Sequence, residues 1–242
     1  MKYIGGYATN IGNVRKVNQD AVVLKKNIHD GVGFAVLAVC DGIGGLEHGE
    51  ITSNIVKSGI VEWYENVLEW LDVEAAEPET IFSHLKDAAD EWNRRVVDFA
   101  MDMRTATGTT MSLLMCIRDK YFTLQVGDSR IYRLDGAKLV QLTTDDSVEK
   151  YRGGKLRSYL DNFVGKSYEL SFATGTGTLK NSDLFLVCSD GFYHHLKEED
   201  LERLNTADSD EEIRSECETL IFEMMERGER DNISVGVLRL TD

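Results

Sequence analysis

Apolar residues fall into two kinds of pattern along the chain. Residues 33–40 and 183–188 are nearly continuous apolar runs, the pattern of central strands covered on both faces. From Glu50 the spacing turns helical, with Ile51, Ile55, Ile60, Trp63, Val67 and Leu71 sharing one face. Pro78 sits where a first helical turn tolerates proline, and Ile81, Leu85, Ala88, Trp92, Val96, Phe99 and Met103 mark a second amphipathic helix behind it. Shorter apolar segments predict strands at 3–9, 21–26, 109–117, 121–126, 130–134, 138–142, 168–173 and 233–240. Turns at Asp119-Lys120 and Asp135-Gly136 join the middle strands into an antiparallel meander. Residues 196–204 and 211–227 read as helices, the second capped by Gly228. The polar segment 145–167 predicts an irregular flap containing a short helix. Strands, two long helices, strands, helices and a last strand do not make a simple βαβ chain. The expected class is α+β, with two antiparallel β-sheets packed face to face and helices outside.

Composition and charge narrow this picture in four ways. The 242 residues contain a single proline, Pro78, and no Pro/Ser-rich linker, so one domain over 1–242 is expected. A net charge of −15 disfavours nucleic acid and anionic membranes as partners. The N-terminal "MKYIGGYATN" lacks the apolar core of a signal peptide, and no apolar run approaches a membrane span. Cys40, Cys116, Cys188 and Cys217 show no CxxC spacing, and three of them lie in apolar runs, where a thiol acts as a small hydrophobe. A reduced, cytoplasmic protein is expected.

The candidate chemistry lies in five carboxylates. Asp20, Asp41, Asp128, Asp190 and Asp231 each stand at the edge of a predicted strand; Asp20 opens one after "RKVNQ", and the other four stand beside Gly, Ser or Asn. "AVLAVCDGIGG" (35–45) and "LFLVCSDGF" (184–192) repeat one design: an apolar strand running into Asp-Gly. Ionised carboxylates at the ends of buried strands are costly unless paired or bound to a cation. If they converge, their repulsion calls for a divalent ion, and oxygen-only ligation selects Mg²⁺ or Mn²⁺. The glycines after Asp41 would let backbone approach the ion, with the Gly42 carbonyl as a further ligand. Taken singly, Asp-Gly and "GDSR" are also ordinary turns, and the residues alone leave both readings open.

Six motifs in order carry a resemblance. "VRKVNQD" (14–20), "VCDGIGG" (39–45), "TGTT" (107–110), "VGDSR" (126–130), "LVCSDGF" (186–192) and "RDNISV" (230–235) together resemble the metal-dependent protein phosphatase family of type 2C, in its compact bacterial form. The resemblance implies a four-layer α-β-β-α sandwich and hydrolysis of phosphoserine and phosphothreonine. It implies that Asp41 bridges two metals and that Gly42 ligates one of them. Asp190 and Asp231 complete the first metal, Asp20 serves the second, and Asp128 a third, weaker ion. Arg15 matches the arginine that grips phosphate. Two Mn²⁺ or Mg²⁺ ions about 4 Å apart would then activate a bridging water for attack on phosphorus. The implied partners are phosphorylated proteins, substrates of a Ser/Thr kinase, met by a monomer.

Three departures from the family pattern stand out. Gln19 replaces a frequent Glu and supplies no charge to the second metal. Ile43 stands where some eukaryotic members carry a histidine proposed as general acid, leaving protonation of the departing oxygen to a metal-bound water or another group. Asp146 replaces a frequent His, as a further third-metal ligand or as a loop acid. His48 is the histidine nearest the glycine loop; it, His194 and His195 read as loop or helix-start residues. Segment 145–167 carries Lys150, Arg152, Lys155, Arg157 and Lys166 against four acids, a positive balance in an acidic chain, and is expected to attract phosphopeptides or to be an ordinary solvated loop. Two other readings remain. One is a catalytically weak or noncatalytic regulatory member of the same fold that binds phosphoproteins, for which Gln19 leaves room. The other is a metal-dependent hydrolase of small phosphoesters.

Overall fold

Near-continuous apolar runs become the middles of two sheets. The computed structural model describes residues 2–29, 31–43, 47–70, 76–135, 138–152 and 155–241. Gly44, Gly45, Leu71 and Gly136 lie outside the described residues, as do the side chains of Arg152, Lys155 and Arg157. The chain opens with β1 (Lys2–Asn10), β2 (Asp20–His29) and β3 (Val32–Asp41), followed by α1 (Gly49–Trp70) and α2 (Pro78–Met103). The meander comprises β4 (Met111–Ile117), β5 (Lys120–Val126), β6 (Arg130–Asp135) and β7 (Lys138–Gln141). Next come β8 (Ser147–Arg152), β9 (Lys155–Leu160), β10 (Ala173–Thr178) and β11 (Leu184–Cys188). Helices α3 (Asp190–Tyr193), α4 (Glu198–Thr206) and α5 (Asp210–Glu226) precede the last strand, β12 (Ile233–Thr241). No helix among the described residues is long and apolar enough to cross a membrane.

One sheet runs β10-β5-β4-β3-β2 and the other β1-β12-β11-β6-β7, with every neighbouring pair antiparallel. Strand alternation sorts the side chains into three cores. On β3, Phe34, Val36, Ala38 and Cys40 face α1 and α2, where they meet Ile60, Trp63, Ile81, Leu85 and Trp92. Ala35, Leu37 and Val39 face the other way, against Phe185, Val187, Leu238 and Leu240 of the second sheet. That sheet turns Leu186, Cys188, Val235 and Val237 outward onto Leu204, Ile213, Cys217 and Leu220 of α4 and α5. The layers are therefore helix, sheet, sheet, helix, as the sequence predicted. All four cysteines are free and buried in these cores.

Two segments differ from the sequence reading. The strand expected at 168–173 is displaced to β10. The amide of Asn93 on α2 donates to the carbonyls of Ser167 and Tyr168 at 2.8 and 3.4 Å, and the Tyr168 hydroxyl donates to Asp98 at 2.6 Å. Helix α2 thus holds the start of this segment, taking the Tyr168 carbonyl that a strand there would use. The "ATGTGT" run pairs with β5 instead, because Gly175 and Gly177 leave room for Thr123 Oγ1 and the Tyr121 ring, which an added Cβ would meet at 2.7 and 2.5 Å. The expected irregular flap is a two-stranded hairpin, β8 against β9. Its β-forming residues, paired in register as Val148 with Tyr159 and Tyr151 with Leu156, are dispersed among charges that mask the strand pattern.

Candidate metal centre

The two sheets bring their carboxylates to one end of the sandwich. Asp20 opens β2 and Asp41 closes β3, and the register sets them directly opposite each other. From the second sheet come Asp190, first residue of α3 just past β11, and Asp231, two residues before β12. The Ser189 N–H donates to the Ser234 carbonyl at 3.0 Å, holding these two segments together. Asp128 lies in the turn between β5 and β6. Small hydroxyls anchor the frame. The Asp41 N–H donates to Thr110 Oγ1 at 2.9 Å. Ser189 Oγ donates to Asp20 Oδ2 at 3.1 Å and accepts the Ser234 N–H at 3.0 Å. Gly42 donates its N–H to the Gln19 carbonyl at 3.1 Å, and a Cβ there would stand 2.4 Å from the Gly49 carbonyl oxygen. Only glycine fits.

The acids sense one another. Burial pushes Asp190 up to about 7, helped by the charges of Asp128, Asp231 and Asp20. Burial also pushes Asp20 up to about 6; hydrogen bonds from Ser234 and Ser189 oppose it and the charge of Asp231 adds to it. Asp41 is held well above the carboxylate range by burial, then by Asp20, Asp190, Asp128 and Asp231. Asp128 rises as well, mainly by burial. Asp20 Oδ1 and Asp190 Oδ1 are buried with no hydrogen-bond partner. Buried polar atoms are normally satisfied, so these two oxygens lack something. Among the described residues, no three His, Cys, Asp or Glu side chains are placed to hold a metal ion together. The donor set nonetheless fits a hard divalent cation: only oxygens, mutually repelling, two of them orphaned.

Arg15 closes the site from the loop between β1 and β2. Its Nη2 donates to Asp231 Oδ2 at 2.5 Å, and that bond, chiefly, raises its pKa, with Asp41 and Asp190 adding charge attraction. The Gln19 side-chain amide lies against Gly49 at the start of α1. His48, in the left-handed region at φ 65°, sets its ring edge-on to Phe99 of α2. Asp146 accepts from the Gly127 N–H at 3.1 Å and from Asn162 at 3.2 Å, tying the base of the hairpin to the turn that carries Asp128. His194 and His195 face Glu229 Oε2 at 3.7 and 3.4 Å.

A family model for protein phosphatase 2C matches residues 13–232. The chain belongs to the protein phosphatase 2C family. Among relatives, Protein phosphatase PhpP of Streptococcus pneumoniae is 25% identical over 248 residues, covering 97% of this chain and 96% of that protein. Serine/threonine phosphatase stp of Listeria monocytogenes is 25% identical over 244 residues, covering 95% and 92%. The solved Mycobacterium tuberculosis serine/threonine phosphatase PstP/Ppp superposes with a TM-score of 0.77 at 22% identity, over 100% of both chains, which shows the shared fold. Phosphatase 2C membership implies divalent metal ions as cofactors.

In this phosphatase 2C chain several residues around the carboxylates escaped the sequence reading. Ser189 and Asn232 sit inside quoted motifs, each beside a candidate ligand, and that adjacency was their only signal. Glu229 gave none; its Oε1 accepts the N–H groups of Arg230 and Asp231 at 2.6 and 2.9 Å. Arg130 of "VGDSR" forks onto Asp145 and lies 3.7 Å over the Tyr193 ring.

Proposed function

We propose that the protein is a cytoplasmic, monomeric serine/threonine protein phosphatase, with a single catalytic domain over 1–242. Its substrates are phosphoproteins made by a Ser/Thr kinase. The observation that carries the reading is the cluster of five carboxylates with two orphaned buried oxygens beside a guanidinium. Family membership and relatives named as protein phosphatases support the same activity. Asp20, Asp41, Asp190, Asp231 and the Gly42 carbonyl would hold two Mn²⁺ or Mg²⁺ ions, and Asp128 a weaker third. Cations bound there supply an acidified water as nucleophile.

The chain's own groups do the rest. Thr110 and Ser189 hold Asp41 and Asp20 in place through hydrogen bonds of 2.9 and 3.1 Å. Arg15, about a third exposed, offers a planar fork of donors to phosphate oxygens and steadies the charge that builds on them. The departing serine or threonine oxygen cannot take its proton from position 43, which is Ile43. Hydrolysis of para-nitrophenyl phosphate and of a phosphothreonine peptide, with Mn²⁺, Mg²⁺ or EDTA, tests the reading. Turnover is expected with Mn²⁺, and Asp190→Ala abolishes it. Equal activity in EDTA would falsify the mechanism.

A further inference from the structure

Asn232 stands next to Asp231 yet is no candidate ligand. It is buried, 3% exposed, and its amide is almost fully used. Nδ2 donates to the carbonyls of Ile11 at 2.9 Å and Val17 at 3.1 Å, and Oδ1 accepts the Gln19 N–H at 2.9 Å. All three partners belong to the β1–β2 loop, and the two carbonyls flank Arg15 on either side. That loop contains no strand or helix, so no ladder supplies these bonds. The same loop presses on the neighbouring backbone: Gly12, at φ 74°, would set a Cβ 2.4 Å from the Asp231 carbonyl oxygen. The Asn232 N–H donates to Asp231 Oδ1 at 2.8 Å while Arg15 holds Oδ2.

We infer that Asn232 is a positioning residue for phosphate: it rivets the Arg15 loop to the Asp231 segment and so fixes the distance from guanidinium to carboxylate cluster. This rests on Arg15 as the phosphate-binding group. The side chain suits the task chemically. One amide offers two donors and an acceptor at once. Asp in its place would lose both donors and set a carboxylate against two carbonyls. Gln would carry the amide a methylene too far.

The test compares wild type, Asn232→Ala, Asn232→Asp, Arg15→Ala and Arg15→Ala/Asn232→Ala as full-length Mn²⁺-loaded enzymes. Inorganic phosphate serves as the competing ligand. Loss of the rivet is expected to weaken phosphate inhibition and raise KM for a phosphothreonine peptide about tenfold, the scale of one to two lost hydrogen bonds; kcat is expected to fall less. In the Arg15→Ala background the same substitution is expected to leave phosphate inhibition unchanged, because the group it positions is gone. Amide hydrogen exchange on the metal-free proteins gives a second readout. Exchange across 11–19 is expected to quicken while β3 keeps its protection. Gly12→Ala, which pushes the loop off the Asp231 carbonyl, is expected to reproduce both effects if the Asn232 variants do not fold. An equal loss of phosphate affinity with and without Arg15, unchanged exchange in the loop, or faster exchange throughout the molecule overturns the inference. If wild type hydrolyses no phosphopeptide, the phosphatase reading fails by itself, and the exchange data still decide whether Asn232 holds the loop.

Discussion

Asp190 and Asp20 carry protons to about pH 7 and about pH 6, far above the roughly 4 of a carboxyl in an unfolded chain. Between those values the native protein binds more protons than the unfolded one, so linkage makes its stability fall as pH rises from about 4 to about 7. The metal-free protein is expected to melt at a lower temperature at pH 8 than at pH 5. Asp190→Asn is expected to flatten that profile and to raise the metal-free melting temperature at pH 8. Saturating Mn²⁺ is expected to recover most of the wild-type loss, since the cation replaces the protons. Thermal unfolding across pH, in EDTA and in Mn²⁺, measures all three; an identical slope for wild type and Asp190→Asn would show that Asp190 is not among repelling charges. The acids were legible in the sequence because each stands at a strand edge, four of them bordering Gly, Ser or Asn. Ser189 and Thr110 were not, because a side chain that bonds a distant backbone group leaves no period in the sequence.

Helices α1 and α2 approach closely at Gly59, where an added Cβ would stand 2.4 Å from the Trp92 ring. Gly59→Ala therefore sets two effects against each other. Alanine gains about 1 kcal/mol of helix propensity, and overpacking costs about 1–3 kcal/mol. The indole is itself buried, with little space to retreat, so overpacking is expected to win. A lower urea midpoint with an unchanged m-value is the expected result, and a more stable variant would mean that the helices can part without cost. The amphipathic period of both helices was plain in the sequence. The shift of β10 and the β8–β9 hairpin were not. In the first case Asn93 and Asp98, on another element, decide where the strand cannot form. In the second, cross-strand pairing overrides a charged composition.

The four layers could be anticipated from the order of strands and helices and from the family resemblance, but the pairing of β1 with β12 could not. Lys2 lies opposite Thr241 and Asn10 opposite Ile233, partners that no local signal links. β12 sits between β1 and β11. Synthesised after the other described strands, β12 is thus an inner member of its sheet. Until it arrives, β1 and β11 present unpaired edges, and closing them joins parts of the chain at great separation, a slow step. A chain ending at Arg230 is expected to aggregate on release, and a sedimentation assay would register it; a soluble, folded fragment would contradict this. Asp231 emerges immediately ahead of that strand, so the nascent chain carries an unfinished centre until β12 follows it. Hydrolytic power would then be gained in one step, as the sheet closes.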